Sequence, residues 1–416
     1  MLEPMAQRYV RPDWVRRCNA MAGAAGGAAA VVPLRADDLL AAAATSLGLD
    51  ATDTSAFTLA GVDGDWEDRF RRLVAAVDDS PLHVVGRLMT SEELLRGLRT
   101  RALLARNLAE HPEVRDEPIE APIVVTGPAR SGTTILFELL ALDPGVRSPI
   151  AADVLHPVPP PGVGRAEVLA MTECEQELWA DVQPEFAAIH ELRSDLPVEC
   201  ITLSLPSFAG NHWSMVLGGL GDWVPDVGAD LALHRLVLQT VQHGHEPATW
   251  ILKTPGYLLM LDDLLAAYPD ARIIQTHRDP AKTMPSTVST TAMVQWLRTD
   301  EVDLDGLAAL IGAVFTDALA TVARRRADGT IPGIFGDVRF ADLMADPVAA
   351  IGGAYAQIGR PLTDAHADAI RAYVRDKPRG KHGTHRYTAA EWGFDADAAR
   401  AQLADYLSAF AVPLEP

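Results

Sequence analysis

Cysteine and basic residues are scarce in this 416-residue chain. Its three cysteines, Cys18, Cys174 and Cys200, are too few and too widely spaced for a disulfide framework or a zinc knuckle. The 36 lysines and arginines stand against 56 aspartates and glutamates, which gives a formal net charge of −20 at pH 7. Such a surface repels polyanions, so the composition argues against nucleic-acid binding and against docking on anionic lipid. An anionic ligand would have to be bound in a local basic pocket.

Long hydrophobic runs are also missing. The longest run of small apolar residues, 21–32, has about a dozen residues, whereas a membrane span needs about 20. Arg16 and Arg17 precede this run, but it contains no Leu or Phe and is rich in Gly, which favours a loop or a helix-packing segment over a signal peptide. We therefore expect a soluble, cytoplasmic protein without an integral membrane segment.

The order of the elements predicts an α/β fold. Residues 1–118 have helical periodicity, as at 65–78 and at 91–112, where Ser91 is the predicted N-cap, and we predict a mostly helical N-terminal subdomain. In residues 119–416, short apolar runs alternate with helical stretches, which predicts a parallel sheet of the P-loop type flanked by crossover helices. The strands are predicted at 123–126, 249–253, 271–277 and 336–340. Residues 157–248 interrupt this order and predict a helical and loop insertion over one end of the sheet.

The sharpest signal is the segment 127–134, GPARSGTT, between a predicted buried strand and an apolar helix. In that geometry, loop amides and a helix N-terminus converge on an anion. The segment resembles the phosphate-binding loop G-x-x-x-x-G-K-[ST], but Thr133 stands at the lysine position and the cation has moved to Arg130. A nucleotide kinase needs that lysine on the transferred phosphate. A plain Gly/Ser turn is the alternative interpretation, which the strand–loop–helix context disfavours.

Two further motifs stand at predicted strand ends. Residues 253–255 read KTP, and residues 278–280 read RDP with Ser286 eight residues after the arginine. Together with 127–134, they resemble the motifs of sulfotransferases that use 3′-phosphoadenosine 5′-phosphosulfate (PAPS), and the pattern is most similar to bacterial, notably actinobacterial, members. The resemblance extends from about residue 122 to the C-terminus and leaves the N-terminal region outside its motifs.

The resemblance implies a set of donor-binding residues. In that family the loop after the first strand cradles the 5′-phosphosulfate, a role that falls here on Arg130, Ser131, Gly132, Thr133 and Thr134. Arg130 and Lys253 also fall at or just past the carboxyl ends of predicted strands, where ligands bind in open α/β sheets.

The 3′-phosphate of the donor is assigned to a second group of residues. By the resemblance it contacts Arg278 and Ser286, and the arginine fork suits bidentate phosphate binding. A surface ion pair between Arg278 and Asp279 is the alternative. Related enzymes close a late basic, glycine-containing loop over this phosphate, which points to Lys381 and His382, with a solvated loop as the alternative.

The catalytic base is assigned to Glu138, one helical turn beyond Thr134. Heparan-type sulfotransferases resemble this chain in carrying their catalytic Glu at the same spacing. Tyr257 stands where many bacterial relatives carry His, which favours Glu138 over a base from that motif. A buried helix carboxylate paired with Arg130 is the structural alternative. Asp153 and His156 are the other candidates for the base.

The predicted reaction is in-line transfer of a sulfuryl group from PAPS to a hydroxyl or amine of a small-molecule, lipid or glycan acceptor, with 3′,5′-ADP leaving. Glu138 would accept the proton, and Arg130 and Lys253 would stabilise charge on the sulfuryl group. The alternatives are a P-loop nucleotide kinase and a catalytically inactive nucleotide-binding protein. His243 and His245, or His382 and His385, have no evident third metal ligand, so no metal is expected.

The acceptor cannot be read from the sequence. The aromatic residues of the insertion fit either an apolar pocket wall, hence a small-molecule or lipid acceptor, or the core of an extra helical layer. The acidic charge weighs mildly against a polyanionic glycan. The sequence also leaves open whether the chain forms an oligomer.

Overall fold

The computed structural model describes residues 2–189, 191–376 and 388–415. Their architecture is α/β, with helices packed on both faces of one parallel sheet. The strands are β1 Ile123–Thr126, β2 Val146–Arg147, β3 Thr249–Lys253, β4 Arg272–His277 and β5 Ile334–Arg339. The helices before β1 are α1 Met5–Arg8, α2 Asp13–Ala25, α3 Ala28–Val31, α4 Ala36–Ser46, α5 Trp66–Asp78 and α6 Val84–Glu110.

Further α-helices and short 3-10 helices connect and follow the strands. The α-helices are α7 Thr133–Leu140, α8 Ala151–Leu155, α9 Arg165–Val182, α10 Asn211–Leu217, α11 Val227–Gln242, α12 Leu261–Ala267, α13 Pro280–Trp296, α14 Leu304–Ala327, α15 Phe340–Ala345, α16 Pro347–Gln357, α17 Asp364–Asp376, α18 Ala396–Gln402 and α19 Ala404–Ala409. The 3-10 helices are Thr54–Phe57, Pro112–Asp116, Pro184–Ala188, Cys200–Thr202, Leu205–Ser207, Pro255–Leu259 and Ala390–Trp392.

The sheet has the order β2-β3-β1-β4-β5, with every pairing parallel. Strand β1 lies at the centre, and Val125 stands opposite Lys253 on one side and Ile274 on the other. All four residues of β1 are buried, as expected for a strand covered on both faces. The α/β prediction is therefore confirmed. The edge strand β2 was not predicted, because two residues carry no periodic signal.

Helix α6 begins at Val84, eight residues earlier than a helix capped by Ser91 would begin. His83 caps it, since its Nδ1 accepts a hydrogen bond from the Gly86 N–H at 2.9 Å. Ser91, the predicted cap, therefore lies within the helix. Gly86 is required where α6 crosses the chain after α13, because a Cβ there would lie 2.0 Å from the Arg298 carbonyl oxygen.

A buried charge network joins α6 to the end of α13. Glu93 accepts hydrogen bonds from Arg298 at 2.8 Å and from His212 of the insertion at 3.1 Å. Burial alone would raise the pKa of Glu93, but Arg298 and His212 hold it well below its usual range. Removal of one partner from such a network leaves an uncompensated buried charge and costs about 3–5 kcal/mol. The network therefore fixes the N-terminal helices against the sheet-containing part of the chain.

The aromatic side chains of the insertion mostly build core. Phe186, Phe208 and Trp213 are buried in one cluster with residues of α4, α5 and α6, and Trp179 and Trp223 pack against that cluster. Gly97 admits Phe208, whose ring would lie 2.9 Å from a Cβ at that position. The aromatic content of residues 157–248 thus reflects an extra helical layer rather than an apolar pocket wall.

Helix α14 is the one helix among the described residues that is long and apolar enough to cross a membrane by length and composition. It packs against α13 and α19, and 39% of its most apolar window is buried inside the fold. Core helices of soluble proteins meet the same criterion.

Candidate functional site

The loop between β1 and α7 is a tight turn with three residues at positive φ. Gly127, Arg130 and Gly132 have positive φ angles of 140°, 66° and 92°. Gly127 is required, because a Cβ there would lie 2.3 Å from the Thr276 Oγ1 of β4. Helix α7 begins at Thr133, so its first backbone N–H groups lack helical partners and point towards the loop.

Ser131 gives the loop its shape rather than a free donor. Its hydroxyl lies 2.5 Å from both the Pro128 carbonyl oxygen and the Thr276 hydroxyl, and its N–H donates to the same Pro128 carbonyl at 3.1 Å. The residue is fully buried. Of the other predicted loop residues, Arg130, Gly132 and Thr134 are half-buried, whereas Thr133 at the start of α7 is buried.

Lys253 at the end of β3 contacts this loop from one side. Its side chain is 2% exposed, and its Nζ lies 3.5 Å from the Thr134 hydroxyl and in hydrogen-bonding contact with the Glu199 carboxylate. The second oxygen of Glu199 accepts from the Thr254 hydroxyl at 3.4 Å. Glu199 lies in the insertion and retains 27% side-chain exposure, so the insertion delivers a carboxylate to the carboxyl edge of the sheet.

Arg278, directly after β4, contacts the loop from the other side. Its Nη1 donates to the Arg130 carbonyl at 2.8 Å, and its guanidinium lies 3.9 Å from the Phe340 ring centroid. Its Nε and Nη2 form a bidentate ion pair with Glu415 at 2.6 and 2.8 Å. The fork assigned to a phosphate is thus filled by a carboxylate from the C-terminal segment.

Asp279 is not the ion-pair partner of Arg278. It is fully buried, accepts from the Ala281 N–H at the start of α13, and pairs with Arg400 at 2.7 Å. It also accepts the backbone N–H of Glu415 at 2.9 Å. Burial alone would raise the pKa of Asp279, but the hydrogen bonds from Arg400 and from these backbone groups lower it. The surface-pair alternative for Arg278 and Asp279 is therefore not what this structure contains.

Ser286 lies two turns into α13 and is fully buried. Within the described ranges 2–189, 191–376 and 388–415, its hydroxyl has no hydrogen-bond partner. A buried hydroxyl without a partner is unfavourable unless a ligand satisfies it.

Glu138 lies on α7, half-buried, one turn beyond Thr134. One of its carboxylate oxygens accepts a short hydrogen bond from the Tyr373 hydroxyl of α17. The other two candidates for the base face helix α9 instead: Asp153 pairs with Arg165 at 2.5 Å, and His156 lies 3.1 Å from Glu175.

Sequence and structure comparisons agree on the family. A model described as the sulfotransferase family matches residues 122–364, more than half of the chain. The chain belongs to the sulfotransferase family. Its fold is similar to the crystal structure of sulfotransferase STF9 from Mycobacterium avium, with a TM-score of 0.76 and 25% identity over 92% of this chain and 98% of that one. Sulfotransferase STF1 from Mycobacterium tuberculosis gives a TM-score of 0.67 and 26% identity, covering 88% of this chain and 98% of that one.

A curated relative carries a substrate in its name. The omega-hydroxy-beta-dihydromenaquinone-9 sulfotransferase Stf3 of Mycobacterium bovis is 24% identical over 305 residues, which cover 70% of this chain and 75% of that protein. The same protein of Mycobacterium tuberculosis matches equally.

Behind the KTP motif, this sulfotransferase has a buried polar cluster. Tyr257 is 4% exposed and its hydroxyl lies 3.4 Å from His234 Nε2, while His234 Nδ1 lies 2.7 Å from the Tyr268 hydroxyl. Burial lowers the pKa of His234 to about 3, so the imidazole is neutral. Tyr257 is therefore part of the packed interior behind the KTP motif.

Four residues remain to be compared with the predictions from the sequence. Lys381 and His382 lie outside the described residues. Glu199 and Glu415 were not predicted, because neither has a fixed spacing from the motif that it contacts. Only Glu199 could have been noticed in the sequence, because it is an acidic residue within a mostly apolar stretch of the insertion.

Proposed function

We propose that this sulfotransferase transfers a sulfuryl group from PAPS to a hydroxyl or amine of a small-molecule or lipid acceptor. One observation carries the proposal: two cations, at the carboxyl ends of the strands that flank β1 on opposite sides, contact the segment 127–134. Lys253 reaches the Thr134 hydroxyl, and Arg278 reaches the Arg130 carbonyl. In an otherwise acidic chain, this convergence provides a local site for an anion once the Glu415 carboxylate leaves Arg278.

The described residues fit the two charged ends of PAPS. Arg278 and the buried Ser286 hydroxyl suit the 3′-phosphate, which carries about −1.5 to −2 charges near neutral pH. Arg130, Lys253 and the amides of Thr133 and Thr134 suit the 5′-phosphosulfate. Thr133 stands where a kinase would carry its phosphate-binding lysine, so the same loop fits phosphoryl transfer from ATP less well.

In the proposed reaction the acceptor oxygen forms a bond to sulfur while the bond from sulfur to the phosphate oxygen breaks. The acceptor proton passes to Glu138, and 3′,5′-ADP leaves with the bonding electrons. The Tyr373 hydroxyl orients the Glu138 carboxylate. Glu199 and Thr134 hold the Lys253 ammonium, which would stabilise charge on the sulfuryl and bridging oxygens.

For the acceptor, the curated relative suggests a lipid-linked alcohol. The substrate in its name is a hydroxylated menaquinone, and we propose the same broad class, a hydroxyl on a polyprenyl or quinone lipid, as the first to test with this chain.

The test is a transfer assay with labelled PAPS and a panel of lipid and small-molecule alcohols, with ATP and Mg²⁺ as the comparison donor. We expect labelled product and 3′,5′-ADP from PAPS alone. Glu138→Gln should lower turnover by about 10²–10⁴-fold while donor affinity stays within about twofold.

Three variants compare the other carboxylates and the histidine. Glu199→Gln should impair turnover through Lys253, whereas Asp153→Asn and His156→Gln should leave it largely intact. Full turnover in Glu138→Gln combined with loss in Asp153→Asn or His156→Gln would transfer the role of base to that residue. Absence of transfer from PAPS, together with absence of 3′,5′-ADP binding, would overturn the proposal as a whole.

A further inference from the structure

Three metal-ligating side chains converge at a place remote from the donor site. His111 and Glu113 follow the end of α6, and His243 follows the end of α11. One ligand atom of each lies within 4.8 Å of the others. The spacing of histidines around His243 predicts no metal site in the sequence. The fold, however, brings His111 and Glu113 next to His243 from a distant part of the chain.

The distances among these side chains match those between ligands that share one ion, although the His111–Glu113 contact is also within hydrogen-bonding range. Glu113 Oε1 lies 3.2 Å from His111 Nδ1 and 3.6 Å from His243 Nε2. A separation of 3.6 Å is beyond hydrogen-bonding range. Bonds of about 2.0–2.1 Å from Zn²⁺ to imidazole nitrogen and carboxylate oxygen place tetrahedral ligands about 3.3 Å apart, close to both distances.

A further carboxylate orients His243. Glu117 Oε1 lies 2.8 Å from His243 Nδ1, and Glu117 is itself fixed, since Gln239 donates to its backbone carbonyl at 3.1 Å and Gln242 lies 3.5 Å from its Oε2. With the Nδ1–H donated to Glu117, the lone pair on Nε2 faces Glu113. A carboxylate behind a histidine in this way fixes the tautomer that ligates metal and raises its basicity.

We propose that His111, Glu113 and His243 form a Zn²⁺ site with three protein ligands and water in the fourth position. Residues 117–122 and 243–248 lead into the amino ends of β1 and β3, whereas Lys253 stands at the carboxyl end of β3. The site therefore lies near the amino ends of the strands, whereas the loop 127–132 lies at their carboxyl ends. It joins the ends of α6 and α11 and acts as a structural clamp rather than in sulfuryl transfer.

The test is calorimetric titration of ZnCl₂ into the full chain after treatment with chelator, with thermal unfolding followed in parallel. We expect saturable binding of one Zn²⁺ that raises the unfolding temperature. His111→Ala and His243→Ala should each weaken binding at least tenfold and remove the thermal shift. Glu117→Gln should weaken it about tenfold, the effect expected of an orienting carboxylate.

His245→Ala is the matched control, because it removes an exposed histidine from the same loop and should leave affinity within about twofold. The ligand residues are partly exposed, so their variants should still fold, which circular dichroism checks. Absence of saturable binding in the unmodified chain would overturn the proposal. Equal weakening by His245→Ala and His243→Ala would also overturn it.

Discussion

The ion pair between Arg278 and Glu415 predicts that the C-terminal segment competes with the donor. A 3′-phosphate can bind the Arg278 fork only if the Glu415 carboxylate leaves it. Glu415→Gln weakens that competition by removing one charge. The segment should remain in place, since Arg400 donates to the Glu415 carbonyl at 2.6 Å and the Glu415 N–H donates to Asp279 at 2.9 Å.

The size of the effect follows from the geometry of the pair. Two charge-assisted hydrogen bonds of 2.6 and 2.8 Å join side chains that are 18% and 28% exposed. Hydrogen bonds to charged groups contribute about 1.5–3 kcal/mol when buried, while exposed ion pairs contribute about 0–1 kcal/mol. For this partly exposed pair we take about 1.5 kcal/mol, which corresponds to about tenfold tighter binding of 3′,5′-ADP in Glu415→Gln.

The assay is calorimetric titration at low and at moderate salt with 3′,5′-ADP and with ADP, which lacks the 3′-phosphate. The gain should appear for 3′,5′-ADP alone and should shrink as salt screens the pair. Asp405→Asn, which removes the same charge from an exposed position of α19, should change neither affinity. Equal tightening for both nucleotides, or none for either, would refute the competition.

Two further variants probe buried polar groups of the fold. Ser286→Ala should weaken 3′,5′-ADP binding about tenfold while the free energy of unfolding changes little, because the Ser286 hydroxyl has no partner in the described part of the chain. Thr287→Val serves as the control, since the Thr287 hydroxyl forms its hydrogen bond within the helix. Unchanged affinity in Ser286→Ala would exclude this hydroxyl from the phosphate site. The pKa of His234 is lowered to about 3 in the folded protein, so on acidification this histidine is protonated in the unfolded chain before it is protonated in the folded one. The free energy of unfolding should therefore fall by up to about 1.4 kcal/mol per pH unit as the pH drops from about 6.5 towards 3. Urea unfolding should then show the deficit of His234→Gln shrinking on acidification, and a deficit that is constant between pH 7 and 4 would contradict the neutral buried imidazole.

Local patterns in the sequence were enough to predict the central sheet. Strand β1 is a run of buried apolar residues, and β3 has the bounds that its sequence pattern predicts. The loop between β1 and α7 was also predicted, because Gly127 and Gly132, which both adopt positive φ angles, have the spacing of the phosphate-binding motif.

Contacts between distant segments could not be predicted from one sequence. Glu199 meets Lys253, and Glu415 meets Arg278, only because the insertion and the C-terminal segment fold back to the carboxyl edge of the sheet. The start of α6 was misplaced for a related reason. Its cap is a histidine, whereas the pattern favours Ser91, and tertiary packing extends the helix beyond its amphipathic stretch.

The contact of Thr276 with both Gly127 and Ser131 has an evolutionary consequence. A side chain larger than threonine at position 276 of β4 would collide with the backbone at Gly127, where no Cβ is present. A smaller side chain there would lose its contact with the Ser131 hydroxyl. These three positions should therefore vary together among homologues, and transplanting the loop into another parallel-sheet enzyme should succeed only when the adjoining strand is carried with it.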